Sequence, residues 1–185
     1  MTTIVRETDP ITVIREYDVV MVPTNIYGEL NGLFGSAIKK EYPDISDVNM
    51  KQPYGDWRRM GTRITVRKQN EPTVTLMYVY AKNGKLPAFL YPEHFKHALQ
   101  TANNEFKGKK ALISGFTTDE RYGGMEPEEM VKVLDANAPD MDIYLFVNNG
   151  TNNAKKHKYY KGKNRRTPHK QRIVRELFRK GGIHQ

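Results

Sequence analysis

Short apolar runs alternate with amphipathic stretches along the first 147 residues, and this alternation predicts strands separated by helices. The predicted strands are residues 11–14, 19–22, 62–66, 73–80, 111–114 and 142–147. The second of these runs ends at Pro23. A polar turn containing Pro72 joins residues 62–66 to residues 73–80 and indicates a hairpin.

Apolar residues at helical spacing predict three helices between these strands. The helices are residues 33–42, the stretch from Pro92 to the Gly108 stop, and residues 127–134. Residues 44–61 are polar and rich in turn formers, so we interpret them as a loop. Because strands that alternate with helices imply a parallel or mixed sheet covered on both faces, the predicted fold class is α/β.

The composition changes abruptly after Val147, which divides the chain into a body, residues 1–147, and a linker plus basic tail, residues 148–185. An Asn- and Gly-rich linker comes first, and a short helix is predicted from Pro168 onward. Residues 151–185 carry 12 of the 30 Lys and Arg residues but one of the 21 acids. The tail therefore has a net charge of +11, and the remainder has a net charge of −2.

A cationic segment of this density attracts polyanions by releasing their counterions, so we expect the tail to contact nucleic acid. Tyrosines lie among the lysines, an arrangement that resembles a platform on which unpaired bases stack. The tail residues predicted to bind nucleic acid are Lys155, Lys156, Lys158, Tyr159, Tyr160, Lys161, Lys163, Arg165 and Arg166. Two alternatives stay open: a solvated tail that keeps the protein soluble, and tyrosines that pack against the body.

Trp57 is followed by two arginines in the long predicted loop. It is compatible with two interpretations, a plug in the core or an exposed stacking group.

The chain has no cysteine, which excludes disulfides, a thiolate nucleophile and Cys-ligated zinc, and no metal site is predicted. No apolar run approaches the roughly 18 residues of a membrane span, and the first ten residues lack a secretory signal. We therefore expect a cytoplasmic protein that does not bind membranes.

Two predicted strand-to-helix connections, residues 25–32 and residues 115–124, carry glycines. Ligands of open α/β sheets collect beyond the carboxyl ends of strands, where loops and helix N-termini present backbone N–H groups. Two such loops that face each other would hold a diphosphate. Glycines in turns are also explained by chain reversal alone.

Four segments in order resemble a macrodomain: ITVIREYDVVMVPTN, NIYGELNGLFGSAIKKEYP, TLMYVYAKNGK, and GFTTDERYGGMEPEEM followed by DIYLFV. The similarity covers about residues 9–147. It is closest to the branch that includes antitoxins removing ADP-ribose from DNA and human relatives that cleave ADP-ribosyl-carboxylate esters. The resemblance implies a three-layer α/β/α mixed sheet, to which this chain adds its basic C-terminal extension.

The resemblance implies ADP-ribose as the ligand and implies no cofactor. Asn25 would hydrogen-bond the distal ribose through its amide, although a turn asparagine that serves its own backbone is the alternative. Asp9 would receive the adenine amino group, with Pro10 interrupting the usual Asp-Ile-Thr pattern. The residues whose backbone would cradle the phosphates are Gly28, Asn31, Gly32, Gly123 and Gly124.

Lys82 stands where one branch of the family carries a lysine that attacks the distal ribose. An exposed lysine at a strand end is the alternative. The catalytic carboxylate of that branch aligns with Gly123, so Asp119 or Glu120 would have to replace it as general base. The family carries a Gly-x-Gly pattern in each of the two loops. This chain has Asn31-Gly32-Leu33 in the first loop and Asp119-Glu120-Arg121 in the second, and these departures weaken the case for hydrolysis.

The sequence therefore predicts a protein that binds ADP-ribose or an ADP-ribosylated macromolecule and removes the ADP-ribosyl group, with a tail that contacts nucleic acid. Two alternatives remain. One is a non-enzymatic nucleic-acid-binding protein on an inactive macrodomain scaffold, and the other is a phosphatase of ADP-ribose 1″-phosphate. The sequence leaves the choice between DNA and RNA and the oligomeric state open.

Overall fold

A computed structural model describes residues 1–7, 9–82, 88–114 and 124–148 of the chain. The strands are β1 (Thr3–Glu7), β2 (Val19–Asn25), β3 (Arg63–Val66), β4 (Thr73–Ala81), β5 (Phe89–Leu90), β6 (Lys110–Ser114) and β7 (Asp142–Asn148). The helices are α1 (Ile11–Ile14), α2 (Gly32–Glu41), α3 (Asp44–Met50), α4 (Pro92–Glu105) and α5 (Pro127–Asn137). A 3-10 turn covers Trp57–Arg59.

The described strands form one mixed sheet in the order β1-β7-β6-β2-β4-β3, with β5 paired to the end of β4. The first five strands of this order run parallel to their neighbours, whereas β3 and β5 run antiparallel to β4. The β3–β4 hairpin confirms the prediction for residues 62–80. The parallel strands β2, β4, β6 and β7 end at the same edge of the sheet, which is where α/β proteins bind ligands.

Helices cover both faces of the sheet because β2 and β4 alternate buried side chains between two cores. Val19 and Met21 pack with residues of α4 and α5, while Val20 and Val22 pack with residues of α1, α2 and α3. This two-sided burial explains why β2 reads as a continuous apolar run. The predicted mixed α/β sheet with flanking helices is confirmed.

Residues 11–14 are a helical turn, so the predicted strand is wrong. The Asp9 carboxylate accepts a hydrogen bond from the N–H of Ile11 (2.9 Å), and the Thr12 hydroxyl donates to the carbonyl of Asp9 (2.7 Å). Pro10 already has helical backbone angles. Val13 and Ile14 are buried against the sheet from this turn, so tertiary packing overrides their β propensity.

Two further boundaries differ from the predictions. β2 continues through Pro23 to Asn25. Only Val19–Met21 of β2 pair with β6, so Pro23 has a strand partner, β4, on one side alone. The predicted loop 44–61 contains α3 and the 3-10 turn. Helix α3 forms because Ile45 is fully buried and because Asp44 and Asp47 lie in its first turn, near the positive end of the helix dipole.

The other predicted elements appear within a few residues of their expected bounds, and β1 is an addition that pairs with β7. β7 includes Asn148, at the predicted boundary between body and linker. The division of the chain at residue 147 stays a prediction. The helix after Pro168 and the basic tail lie outside the described residues and also stay predictions. Within the described ranges, no helix is both long and apolar enough to cross a membrane.

Candidate functional site

The ends of β2 and β4 place two predicted site residues side by side at the carboxyl edge of the sheet. Asn25 is the last residue of β2, and its register partner on β4 is Tyr80 after a one-residue shift. Lys82 follows directly after β4. The N–H of Ile26 donates to the carbonyl of Tyr80 (3.2 Å), which ties the start of the first loop to the end of β4.

The Asn25 side chain is buried and organises the loop that follows it. Its Oδ1 accepts hydrogen bonds from the N–H groups of Tyr27 (3.0 Å) and Glu29 (3.4 Å). Its backbone carbonyl accepts from the N–H of Gly28 (2.7 Å). The turn-asparagine alternative is therefore realised in the structure. The amide Nδ2 points to the Glu29 carboxylate (2.9 Å), so contact between Asn25 and a ribose stays a prediction.

Glu29 connects the predicted site residues and was not identified from the sequence. One of its carboxylate oxygens accepts from the amides of Asn25 and Asn31 (3.4 Å) and forms an ion pair with Lys82. The hydrogen bond from Lys82 holds the pKa of Glu29 below its ordinary value, and partial burial opposes this shift. The signal available in the sequence was an acid four residues after the strand-end asparagine.

Gly28 is required by packing within the protein. Its φ is +69°, and a Cβ at this position would lie 2.0 Å from Oδ1 of Asn49 in α3. The Asn49 amide contacts the carbonyls of Tyr27 (3.4 Å) and Gly28 (3.5 Å). The close approach that the glycine permits is therefore to Asn49, and a phosphate contact at Gly28 stays a prediction.

Arg59 lies beneath the same loop and is 6% exposed. Its guanidinium donates to the carbonyls of Ile26 (2.7 Å) and Pro53 (3.2 Å) and to Oδ1 of Asn49 (2.5 Å). It also lies 3.9 Å from the centroid of the Tyr78 ring. Burial raises the pKa of Tyr78, and the nearby Arg59 charge opposes that rise. Arg59 belongs to the segment predicted as a loop, and in the structure its contacts hold the loop after β2 in place.

The N-terminus of α2 borders this cluster and is open with respect to the described residues. Gly32, the first residue of α2, has a φ of +74°, and apart from its chain neighbours no described atom lies within 4 Å of the position that a Cβ would occupy. The Asn31 side chain makes no capping bond to the first turn. Leu33 is 48% exposed, so it does not fill the adjoining core. Backbone N–H groups at an uncapped helix start suit an anion such as a phosphate.

The remaining predicted ligand and catalytic residues fall into two groups. Asp9 is exposed and accepts from the backbone at the start of α1, and Gly124 is partly buried before α5. Asp119, Glu120 and Gly123 lie outside the described residues. The same holds for the tail residues predicted to bind nucleic acid, namely Lys155, Lys156, Lys158, Tyr159, Tyr160, Lys161, Lys163, Arg165 and Arg166. Their roles stay predictions.

Trp57 is 50% exposed, so it is not a core plug, and its use as a stacking group stays a prediction. Across residues 1–7, 9–82, 88–114 and 124–148, no group of three or more His, Cys, Asp or Glu side chains is arranged to hold a metal ion. The described site consists of an amide, a carboxylate, an ammonium group and backbone N–H groups. This set suits a polar, anionic organic ligand.

Comparison with known proteins identifies the fold. No protein-family model matches the chain, and no curated protein matches its sequence. The macrodomain of Thermus aquaticus DarG superimposes with a TM-score of 0.56 at 9% identity, covering 80% of this chain and 99% of that one. The macrodomain of Mycobacterium tuberculosis DarG gives a TM-score of 0.54 at 15% identity, covering 76% and 96%.

A Trypanosoma brucei macrodomain in complex with ADP-ribose gives a TM-score of 0.51 at 13% identity, covering 79% of this chain and 63% of that one. At these identities the similarity concerns the fold. The mixed α/β sheet with flanking helices is consistent with the fold of these neighbours. The chain therefore has the macrodomain fold.

Proposed function

We propose that this chain binds ADP-ribose at the carboxyl edge of its sheet and hydrolyses the bond between ADP-ribose and a macromolecule. The observation that carries the proposal is the convergence of Asn25, Asn31 and Lys82 on the carboxylate of Glu29. This polar cluster adjoins the open N-terminus of α2. A neighbour of the same fold, the Trypanosoma brucei macrodomain, was solved with ADP-ribose, which supports the choice of ligand.

In the proposed complex the first turn of α2 receives the diphosphate. The N–H groups at Gly32 and beyond point out of the helix start, and their partial positive charge favours an anion. The space beside Gly32 accommodates the close approach of a phosphate oxygen. The distal ribose then lies towards Asn25, Glu29 and Lys82.

The ion pair suggests how the reaction proceeds. The Glu29 carboxylate accepts a proton from a water molecule while the water oxygen forms a bond to the anomeric carbon of the distal ribose. The bond from that carbon to the macromolecule breaks, and the leaving atom takes a proton from the Lys82 ammonium. A proton then passes from Glu29 to Lys82, which restores the pair and leaves free ADP-ribose.

This route assigns Lys82 a different role from the one that the family resemblance implies. A nucleophilic lysine must direct a free amine at the anomeric carbon, whereas the Lys82 amine contacts the Glu29 carboxylate. Glu29 also supplies a carboxylate from the first loop, the function for which the sequence offered Asp119 or Glu120. The proposed basic tail would bring the site to a modified polynucleotide and raise its effective concentration there.

Binding and turnover are tested separately with the full chain. ADP-ribose should raise the melting temperature, and this shift should be reduced in Asn25→Ala. ADP-ribosylated single-stranded DNA should release ADP-ribose with the unaltered chain but not with Glu29→Gln or Lys82→Met. Binding of ADP-ribose by these two variants is measured in parallel, so that lost turnover is distinguished from a lost ligand.

Three results would contradict the proposal. If ADP-ribose does not raise the melting temperature, ADP-ribose is not the ligand, and the inactive-scaffold alternative is favoured. A covalent ADP-ribosyl adduct on Lys82, found by mass spectrometry of the quenched reaction, would replace the water route with nucleophilic attack. Release of inorganic phosphate from ADP-ribose 1″-phosphate, without cleavage of the modified DNA, would select the phosphatase alternative.

A further inference from the structure

A group of aromatic side chains lies exposed at the edge of the sheet that carries the candidate site. Tyr54 is 78% exposed, Trp57 50% and Phe89 42%, and they are the exposed large aromatic side chains among the described residues. We call these three and the adjoining Tyr91 the aromatic surface. Exposure of several large rings in one region is uncommon on a monomeric protein and marks a binding surface.

The rings are held in fixed contacts without stacking face to face on one another. The Trp57 and Tyr91 centroids are 6.2 Å apart with an angle of 82° between the planes, and the Phe89 and Tyr91 centroids are 5.7 Å apart at 79°. Tyr54 contacts Tyr27 of the first loop, with centroids 4.8 Å apart. The edge-to-face packing of Trp57 and Phe89 on Tyr91 is favourable in itself and orders these side chains.

Backbone pairing brings this surface next to the candidate site. Phe89 is the register partner of Ala81, the residue before Lys82. The N–H of Tyr91 donates to the carbonyl of Val79 (3.0 Å), and the N–H of Gly61, just after the 3-10 turn, donates to the carbonyl of Tyr78 (2.8 Å). The aromatic surface therefore flanks the last residues of β4.

We propose that the aromatic surface binds a single-stranded nucleic acid by stacking its unpaired bases on Trp57 and the neighbouring rings. Every base has a flat π face, so exposed aromatic rings bind unpaired bases with little dependence on sequence. This binding needs no ADP-ribosyl group and no catalysis. It is therefore independent of the hydrolysis proposed above.

The charges around the surface are compatible with a polyanion. The acids nearest to Trp57 and Tyr91 in the sequence each pair with a base: Asp56 with Arg58 (2.6 Å) and Glu93 with Lys96 (2.9 Å). The chain has a net charge of +9, with +11 in residues 151–185 and −2 in the remainder, so the chain as a whole attracts a polyanion. Charge would bring the strand to the protein, and the rings would bind its bases.

Trp57 is the single tryptophan of the chain, so its fluorescence reports on this surface alone. The full chain is titrated with an oligothymidylate and with an abasic oligonucleotide of the same length and charge. We expect the first to quench Trp57 emission and the second to leave it unchanged. Trp57→Ala should weaken oligothymidylate binding, measured by anisotropy of a labelled strand, at least about fivefold. Trp57→Phe, which keeps a stacking ring, should stay within about twofold of the unaltered chain.

Phe89→Ala provides a second variant should Trp57→Ala fail to fold, and the same loss of affinity is expected. Equal quenching by the abasic strand, or unchanged affinity in both alanine variants, would overturn the proposal, because the tail alone would then carry the binding. Quenching by free ADP-ribose that blocks the oligonucleotide effect would also overturn it, because the rings would then belong to the adenosine site. The ADP-ribose thermal shift should persist in Trp57→Ala, which separates this proposal from the one above.

Discussion

Lys82, directly after β4, forms an ion pair with Glu29, in the loop after β2, across the carboxyl edge of the sheet. Both side chains are partly buried, 24% and 32% exposed. The Glu29 carboxylate also accepts a hydrogen bond from the buried side-chain amide of Asn25. The side-chain oxygen of Asn25 in turn accepts from the N–H of Glu29. Strand register therefore determines which ammonium group meets which carboxylate.

The first prediction concerns the energetic coupling of this pair. Glu29→Gln and Lys82→Met should each lower the free energy of unfolding, and the double variant should lose less than the sum of the two single losses. A coupling of about 0.2–1 kcal/mol is expected for a pair with this exposure. Chemical denaturation of the four proteins measures it, and strictly additive losses would show that the two charges do not interact in solution.

The second prediction concerns the dependence of stability on pH. Because Lys82 lowers the pKa of Glu29 in the folded state below its ordinary 4.5, the carboxylate stabilises the fold fully above that value. This contribution is lost as the pH falls below 4.5 and through the lowered folded-state value. The difference in melting temperature between the unaltered chain and Glu29→Gln should therefore shrink over this range. A difference that is constant from neutral to acidic pH would contradict the assignment.

Local patterns predicted the fold well where one element supplies its own signal. Helix α4 begins at Pro92 and buries Phe95, Ala98 and Leu99 on one face, as the spacing indicates. Residues 11–14 were predicted incorrectly because four β-branched residues have no periodicity of their own to reveal a helical turn. Their conformation follows from the contacts of Asp9 and from burial of Ile14 against the sheet.

The sequence singled out Asn25 and Lys82 but missed the contacts around them. The family resemblance pointed to both residues, whereas the apolar pattern alone ended the strand before Asn25 at Pro23. Arg59 and Asn49 were missed because their contacts with the loop after β2 form only in the folded chain. Both residues belong to the polar segment 44–61, which was predicted as a loop. Glu29 was missed for the same reason, since its partner Lys82 is 53 residues away in the chain.

The third prediction concerns Arg59. Replacing it with methionine leaves the buried carbonyl of Ile26 without this donor, while Oδ1 of Asn49 keeps the Tyr78 hydroxyl (2.8 Å), so the free energy of unfolding should fall by about 1–3 kcal/mol. Arg59→Lys should recover part of this loss, because an ammonium group can serve some but not all of the acceptors. The neighbouring Arg58, whose side chain is 88% exposed, is the control. Arg58→Ala should leave the melting temperature nearly unchanged, and equal effects at both positions would show that Arg59 is no anchor.

The fourth prediction compares three glycines that share a positive φ, namely Gly28 at +69°, Gly32 at +74° and Gly108 at +72°. Alanine should cost about 1–2 kcal/mol at each position for the backbone alone. Gly28→Ala should cost more, since its Cβ would overlap the Asn49 side chain, whereas the other two positions are open. Gly32→Ala should weaken ADP-ribose binding about tenfold, or about 1.4 kcal/mol, by blocking the space beside α2. Gly108 lies at the opposite end of the fold, so Gly108→Ala should bind ADP-ribose normally. Equal ADP-ribose affinities for Gly32→Ala and Gly108→Ala would show that the diphosphate does not bind at the start of α2.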